Sequence, residues 1–297
     1  RNKGMELSIK GTPIQTRDFR WDATLNVSGN RGTVENLIEG VDVLYVTDVQ
    51  IGSAKAASFN NGNFMAISGS TWTRTDDGKI VLDDFGMPTS TNATTDKVGN
   101  REPKFIGGFN NSIQYKNWNL SFLWDFRVGG DVFNGTDYAM TVAGVSDRSA
   151  NRETLTTTGV VKNAAGEYED KTFTFTADGT YNMSGTQVSG RKVIMDYYQT
   201  YLPKESASFI TKTNWLRLRT ISLSYTMPKS LLAKTKVIKG CMFTLTGNNL
   251  LLITNYDGLD PEASAAGSGV TGSSSVGMDY CGVPATMGMS FGVNLTF

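Results

Sequence analysis

The feature that most constrains the fold is a strict alternation of apolar and polar residues that recurs along the chain. From residue 287 to the final Phe297, every second residue is Met, Phe, Val or Leu, and small or polar residues lie between them. A period of two residues is typical of a β-strand whose two faces meet different environments. In residues 118–128 the apolar row consists of Trp, Leu, Phe, Trp, Phe and Val. Such rows favour aggregation in water but match the hydrocarbon of a membrane.

Composition removes several classes of protein. No run approaches the ~18–20 consecutive apolar residues of a membrane-spanning helix. The 28 lysine and arginine residues balance 28 aspartate and glutamate residues, so no charge excess favours nucleic acid. The chain has no histidine, which removes catalytic triads and most zinc sites and leaves only paired carboxylates for acid–base catalysis. We therefore expect no enzyme, no cofactor and no nucleic-acid partner.

The alternation predicts an all-β chain that contributes seven antiparallel strands to a transmembrane β-barrel. The strands are expected near residues 5–12, 18–29, 105–115, 118–128, 208–226, 238–250 and 285–297. In the fifth stretch the apolar residues shift from even to odd positions, so a β-bulge is expected near Arg219 and Thr220.

The connections between these strands alternate between short and long. The long ones are residues 31–104, 129–207 and 251–284. Outer-membrane barrels have short periplasmic turns and long extracellular loops, so the long segments are expected outside the cell. The same arrangement puts Cys241 and Cys281 near opposite rims, ~25 Å apart, which is too far for a disulfide.

Several motifs resemble segments of the SusC/RagA-type TonB-dependent transporters, the large outer-membrane barrels of Bacteroidetes. They are residues 215–228, the Gly-Asn-Asn-Leu of 247–250, the Tyr-Asp-Gly-Leu-Asp-Pro-Glu of 256–262, residues 2–7, residues 103–109 and the terminal strand. The resemblance spans nearly the whole chain. It implies the C-terminal part of a larger, 22-stranded barrel, whose plug domain and N-terminal extension are absent from these residues.

The resemblance also implies a function and partners. Similar transporters import oligosaccharides or peptides across the bacterial outer membrane with a SusD-like surface lipoprotein. They contact TonB through the N-terminal part that this chain lacks. The other expected partners are outer-membrane lipid and the remaining strands of the same barrel.

Candidate functional residues follow from the alternation, the loops and the motifs. Lumen-facing candidates are Asp18, Arg20, Asp22, Asp125 and Arg127, the last two of which could also simply pair with each other. Candidate ligand or partner contacts are the loop aromatics Trp72, Tyr138, Tyr197, Tyr198, Tyr201 and Tyr280, which could instead form small cores of the loops themselves. The family motif supplies Asn248, Asn249, Tyr256, Gly258, Asp260, Pro261 and Glu262, and the insertion signal implied by similar barrels is Phe291, Leu295 and Phe297.

Two other functions fit parts of the same pattern. A passive porin or stand-alone barrel would need an eighth strand, which segment 31–104 could hide, because single-chain bacterial barrels have an even number of strands. A secreted β-sandwich, such as a lectin, would bury its apolar faces against a second sheet. Calcium is an alternative role for Asp257, Asp260 and Glu262, whose oxygen atoms suit a hard cation.

Overall fold

The computed structural model of the protein describes residues 1–91, 93–233, 237–265 and 276–297, and only the backbone of residues 46–49. Residue 92 of the first long connection and residues 266–275 of the third lie outside the described residues. Among the described residues, no helix is both long and apolar enough to cross a membrane.

One antiparallel sheet of seven strands dominates the structure. Its strands are, in order across the sheet, β1 (Asn2–Gln15), β2 (Phe19–Gly32), β7 (Phe105–Tyr115), β8 (Trp118–Val128), β15 (Trp215–Thr226), β16 (Gly240–Thr254) and β18 (Gly288–Thr296). Each strand pairs with the next along the sheet in antiparallel register. The predicted fold class, a seven-stranded antiparallel segment of a β-barrel, is confirmed.

The two faces of this sheet differ as the alternation predicts. On one face the large apolar side chains are open to the surroundings, with Leu7 at 51% and Phe291 at 67% exposure. On the other face polar side chains bond across the strands, for example Ser8 to Asn26 at 2.7 Å. A sheet with one apolar and one hydrogen-bonded polar face is built to separate hydrocarbon from water.

The predicted β-bulge is present in β15. Its register shifts between Leu218 and Thr220 against both neighbouring strands, so Arg219 is the additional residue opposite β8. On the other side, Asn249 of β16 takes a left-handed φ of 52°. The bulge returns the apolar residues after it to the apolar face.

Five of the seven strands differ in their boundaries from the sequence expectation. The first two are longer, Asn2–Gln15 rather than 5–12 and Phe19–Gly32 rather than 18–29. The strand expected at 208–226 begins only at Trp215, because Phe209 is buried in a loop core and Ile210–Lys212 pair with a different strand. The last strand begins at Gly288 rather than 285. The strand expected at 238–250 runs from Gly240 to Thr254. Local alternation could not show where the chain leaves the large sheet.

Pro13 lies inside β1, although the expected strands leave it in the turn between residues 12 and 18. The register shifts between Gly11 and Ile14, so an irregularity accommodates the missing N–H of the proline.

The long connections fold into small structures of their own. The first contains β3 (Val43–Ile51), β4 (Ala54–Phe59), β5 (Ala66–Gly69) and β6 (Asp96–Asn100) in one sheet. The second contains β9 (Asp131–Asn134), α1 (Gly135–Ala143), β10 (Thr154–Lys162), β11 (Tyr168–Thr176), β12 (Thr180–Met183), β13 (Thr186–Ser189), α2 (Gly190–Asp196), a π-helical turn (Tyr197–Tyr201) and β14 (Ile210–Lys212). The helix α3 (Lys229–Leu232) lies between β15 and β16, and β17 (Met278–Asp279) belongs to the third connection.

The sheet topology bears on the two alternative folds, a stand-alone barrel and a secreted β-sandwich. The four strands of segment 31–104 form a separate sheet, so the described part of that segment adds no eighth strand to the large sheet. The sandwich interpretation is wrong, because the apolar rows of the large sheet are exposed rather than covered by a second sheet. Cys241 and Cys281 are both free thiols, as expected from their separation.

Candidate functional site

Two arginines of β15 are the base of the candidate site. Arg217 lies opposite Asp125 of β8, and both belong to the polar face. The bulge brings Arg219 to the same face, where its Nε donates to a carboxylate oxygen of Asp125 at 2.7 Å. The Arg219 guanidinium also lies over the ring of Trp215, 5.5 Å from its centroid.

The third long connection folds back over these arginines. Asp260 accepts from Arg217 at 2.5 Å, and Glu262 lies 2.9 Å from the Nε of Arg217 and also contacts Arg219. The result is one row of alternating charges, Asp260, Arg217, Glu262, Arg219 and Asp125. We call this row the ionic latch, because it fastens the connection to the wall formed by β8 and β15.

The innermost pair of the latch is almost fully buried. The side chains of Arg217 and Asp260 are 3% and 4% exposed. Burial alone would raise the pKa of Asp260, but the backbone amides of Glu262 and Ala285 and the Arg217 guanidinium together lower it below the usual aspartate value. Asp260 is therefore charged at neutral pH, and its charge is matched by that of Arg217.

The turn before Asp260 is fixed by the family motif. The Tyr256 hydroxyl donates to the carboxylate of Asp279 at 2.8 Å, and both side chains are buried. A side chain at position 258 would meet the Tyr256 ring at 2.4 Å, so Gly258 is required for the ring to lie there. Burial and the Asp279 carboxylate raise the pKa of Tyr256, which stays neutral and keeps its donor.

The same turn joins the third connection to the second. The side-chain amide of Asn134 donates to the carbonyl of Asp257 at 2.6 Å, and its carbonyl oxygen caps α1 by accepting from Asp137. Asp279 of β17 pairs with Asn134 in parallel register. The loops therefore share one framework, and the ionic latch anchors this framework to the large sheet.

A cavity of about 840 Å³ lies between the third connection and the polar face. Carboxylates of Glu6 and Glu262, the guanidinium of Arg127 and the ring of Trp215 line it. Arg127 is itself 8% exposed and bonds the carbonyls of Gly129 and Arg101. The cavity therefore combines charged and apolar side chains, and its charged groups lie on the face of the sheet that would line the aqueous interior of a barrel.

The predicted lumen-facing residues occupy different settings. Arg20 and Asp22 form an exposed pair at 2.7 Å, with Thr12 donating to Asp22, and the Asp18 carbonyl accepts from the backbone of the next hairpin. The suggested pairing of Asp125 with Arg127 is wrong: Asp125 binds Arg219 instead. Alternation put the two on one face, but the bulge in β15 brings Arg219 to the carboxylate of Asp125.

The loop aromatics lie mainly in small cores. Trp72, Tyr138, Tyr197 and Tyr198 pack against one buried cluster, and Tyr201 packs against a second. The indole of Trp72 donates to the carbonyl of Tyr201 at 2.9 Å. Burial, with a contribution from Tyr198, raises the pKa of Tyr197 to about 12. Tyr280 differs from the others, because 49% of it is exposed.

The remaining motif residues shape the wall and its edge. Asn248 accepts from Thr220 at 3.3 Å, and Asn249 donates to the carbonyl of Thr286 at 3.1 Å. Pro261 borders the cavity of about 840 Å³ beside Glu262. In the last strand, Phe291 stacks on Phe243 with centroids 6.3 Å apart, while the exposed residues Leu295 and Phe297 follow in the same row.

The calcium alternative finds no support in the described residues. They contain no group of three or more acidic, cysteine or histidine residues placed to hold a metal ion. Asp260 and Glu262 are instead occupied by arginines.

Sequence reasoning missed four residues of the site: Arg101, Arg217, Arg219 and Asp279. Arg101 is 1% exposed, donates to the carbonyls of Ala66 and Val276, and has its pKa lowered to about 10 by burial and the nearby Arg127. In residues 215–226 two arginines interrupt an apolar stretch whose apolar residues shift from even to odd positions. This combination could have indicated the ionic latch. No local pattern marks Arg101 or Asp279.

Comparison with known proteins gives these features a context. No protein-family model matches the chain. It is 25% identical to TonB-dependent receptor P3 of Formosa agariphila and 26% identical to TonB-dependent receptor SusC of Bacteroides thetaiotaomicron. Both similarities cover 100% of this chain but only 28% and 26% of those relatives. The chain thus spans between a quarter and a third of the curated relatives it matches.

Solved structures show the same fold. The RagAB peptide transporter matches with a TM-score of 0.60 at 20% identity, over 100% of this chain and 29% of that one. The RagAB peptide importer in its closed-closed state matches with a TM-score of 0.60 at 21% identity. These relatives are receptors and transporters, not enzymes. Along its whole length, the chain is similar to the TonB-dependent transporters of the SusC/RagA type, which confirms the resemblance shown by its motifs.

Proposed function

We propose that this chain forms part of the wall and the extracellular loops of a TonB-dependent importer in the bacterial outer membrane. The importer takes up large nutrients, oligosaccharides or peptides, with a SusD-like surface lipoprotein. The observation that carries the proposal is the large sheet, which has an exposed apolar face and a polar face covered by a loop that the ionic latch holds in place. This arrangement suits a wall between lipid and an aqueous passage.

The edges of the sheet support a larger barrel. β1 and β18 are its outer strands, so each presents one row of backbone groups that needs a partner in a membrane. Further strands of the same barrel would satisfy both edges. The plug and the TonB contact would then come from residues outside this chain.

The loops support the assignment of capture and partner binding to one side. In an antiparallel sheet, the connections after β2, β8 and β16 all leave from the same end. Their small sheets, helices and aromatic cores form a substantial folded layer there. Loops of this length are usually functional. The exposed Tyr280 is a proposed contact for cargo or lipoprotein on this side, whereas the lumen-facing candidates are proposed contacts for cargo within the passage.

Energy dependence separates an importer from a passive porin. Uptake of labelled oligosaccharides and of labelled oligopeptides would be measured in cells that produce the protein, with and without TonB. We expect uptake of one cargo class to disappear without TonB. Unchanged uptake would contradict the proposal and favour a passive pore. The cargo that is taken up assigns the substrate class.

The partner is tested separately. The protein would be purified from gently solubilised outer membranes, and the proteins that accompany it would be quantified by mass spectrometry. We expect a surface lipoprotein in near-equal amount. If uptake depends on TonB but no lipoprotein is present at that level, the importer stands and the SusD-like partner is withdrawn.

A further inference from the structure

Two cavities lie side by side in the second long connection, away from the ionic latch. The first, of about 450 Å³, lies between the end of α1 and the helix α2. The second, of about 540 Å³, lies against the start of β10. Tyr198 lines both, so its ring is the partition between them.

The floor of the first cavity is built and rigid. Ile194 of α2 and Ser149 are 2% and 4% exposed, and the Ser149 hydroxyl donates to the Ser146 carbonyl at 2.8 Å. α1 ends at Gly144, whose φ of 73° turns the chain away from the helix. The cavity therefore exists before any ligand arrives.

Four side chains that carry hydrogen-bond donors line this cavity: Arg152, Arg191, Tyr198 and Gln199. Arg152 is held by the carbonyls of Gly144, at 2.8 Å, and Ser149, at 3.4 Å, which fixes its guanidinium at the rim. Within the described part of the chain, Arg191 has no ion pair or hydrogen bond, and neither the Tyr198 hydroxyl nor the Gln199 amide has a hydrogen bond. Glu153 is the single carboxylate among the lining residues.

The excess of positive charge in the first cavity favours a ligand that carries a negatively charged hydrogen-bond acceptor. Two guanidinium groups against one carboxylate leave a net positive site, and the planar guanidinium fork matches a carboxylate in two parallel hydrogen bonds. The apolar side chains of Ile194 and Met195 line the same cavity, so the ligand also has a part without charge.

The Tyr198 ring offers the neighbouring surface. It meets Tyr197 edge to face, with centroids 5.2 Å apart, which holds its orientation. Beyond it, Thr154, Thr156 and Asn151 provide neutral polar groups along the second cavity. Arg148 also lines this cavity, but its charge is paired with that of Asp137. A flat sugar face or a peptide side chain fits against an aromatic ring with polar groups at its edge.

We propose that the two cavities form one cleft that captures a carboxylate-bearing oligomer, with Arg152 and Arg191 binding the carboxylate and Tyr198 packing against the adjoining unit. The proposal rests on the proposed function, because it treats the second connection as a place where cargo arrives. The carboxylate belongs to a uronic acid of an acidic oligosaccharide or to the C-terminus of a peptide.

Binding would be measured by calorimetry on the protein solubilised from outer membranes, where TonB plays no part. The probes are trigalacturonate and its methyl ester, and N-acetyl-trialanine with a free or an amidated C-terminus. We expect one acidic probe to bind and its neutral counterpart to bind at least about tenfold more weakly, as the loss of a charge-assisted hydrogen bond requires. The member that binds distinguishes glycan from peptide.

Variants locate the site. Arg191→Gln and Arg152→Gln should each weaken the acidic probe about tenfold and leave its neutral counterpart unaffected. Arg17→Ala, an exposed arginine in the first turn, is the matched control and should bind as the parent does. Equal binding of acidic and neutral probes, no binding of either acid, or full affinity in both glutamine variants would overturn the cleft. Uptake is measured separately, so the two proposals can fail independently. TonB-dependent import without this binding would overturn the cleft and leave the importer intact. Binding without TonB-dependent import would support the cleft and overturn the importer.

Discussion

The guanidinium of Arg217 lies 2.5 Å from the carboxylate of Asp260, which is 43 residues further along the chain, and both side chains are almost fully buried. Arg217 belongs to a strand of the wall, whereas Asp260 belongs to a connection that folds over it. A pair of this kind contributes little net stability when intact, but removal of one partner leaves a buried charge without compensation. The pair therefore fixes where the connection lies more than it adds to stability.

Removal of the Asp260 charge tests this role. We expect Asp260→Asn to lower the free energy of unfolding by about 3 kcal/mol, because Arg217 keeps its charge in a buried site. Urea unfolding of the protein solubilised from outer membranes measures the change. Asp22→Asn, which removes the carboxylate of the exposed pair with Arg20, is the matched control and should have little effect. Equal losses in both variants would contradict the latch.

The latch should also show a defined dependence on pH. Because the folded protein lowers the pKa of Asp260, its stabilising charge is fully present above the unfolded value of about 3.9 and is lost as the pH falls through the lower folded pKa. The difference in unfolding free energy between parent and Asp260→Asn should be constant from pH 8 to about 5 and shrink only in stronger acid. A difference that already declines between pH 7 and 6 would assign the effect to another group.

Position 258 tests the packing behind the latch. Gly258→Ala would bring a methyl group within 2.4 Å of the Tyr256 ring, so the ring must move and its bond to Asp279 must break. We expect a loss of about 1.5–3 kcal/mol, the range for a hydrogen bond to a charged group, and faster proteolysis of residues 251–284. Gly288→Ala serves as control, because nothing lies within 4 Å of a methyl group there. Unchanged proteolysis in Gly258→Ala would show that the ring does not depend on this glycine.

Asn111 is a polar residue on the apolar face of the large sheet, and its hydrogen bond to Trp21 can be tested. Asn111 is 2% exposed, its oxygen accepts from the indole of Trp21 at 3.0 Å, and its amide nitrogen has no partner among the described residues. Trp21→Phe should cost about 1–3 kcal/mol, because it leaves the Asn111 oxygen buried without a donor. Adding Asn111→Leu to that variant should recover most of the loss. No recovery in the double variant would mean that the tryptophan acts by packing alone.

Phe297 is the residue whose proposed role is in the assembly of the protein into the outer membrane. The resemblance to other barrels implies that a C-terminal aromatic is read during insertion, and Phe297 is 67% exposed. We expect deletion of Phe297 to lower the amount of protein assembled in the outer membrane, and Phe297→Trp to restore it. Heat-modifiable mobility in gel electrophoresis measures the assembled fraction. Normal assembly of the deletion variant would contradict this role.

The amino-acid sequence by itself determined the strands, the division into apolar and polar faces, and the bulge near Arg219. All three follow from side-chain alternation, which is a local property of an extended backbone, so a short window of residues is enough to reveal it. The same local rule could not show that Phe209 leaves the sheet for a loop core, because that outcome depends on a partner, Phe133, far away in the chain.

Only the tertiary structure decided which charges meet. Alternation places Asp125 and Arg127 on one face, but the bulge in β15 brings Arg219 to Asp125. The path of the third connection brings Asp260 to Arg217 and Glu262 to both arginines of β15. The first cavity beside Tyr198 likewise arises only where the end of α1 and the helix α2 line the same space. Electrostatic and packing contacts act over a few ångströms in space, whereas the residues that make them are separated by tens of residues in sequence, so their identity is fixed only when the chain has folded.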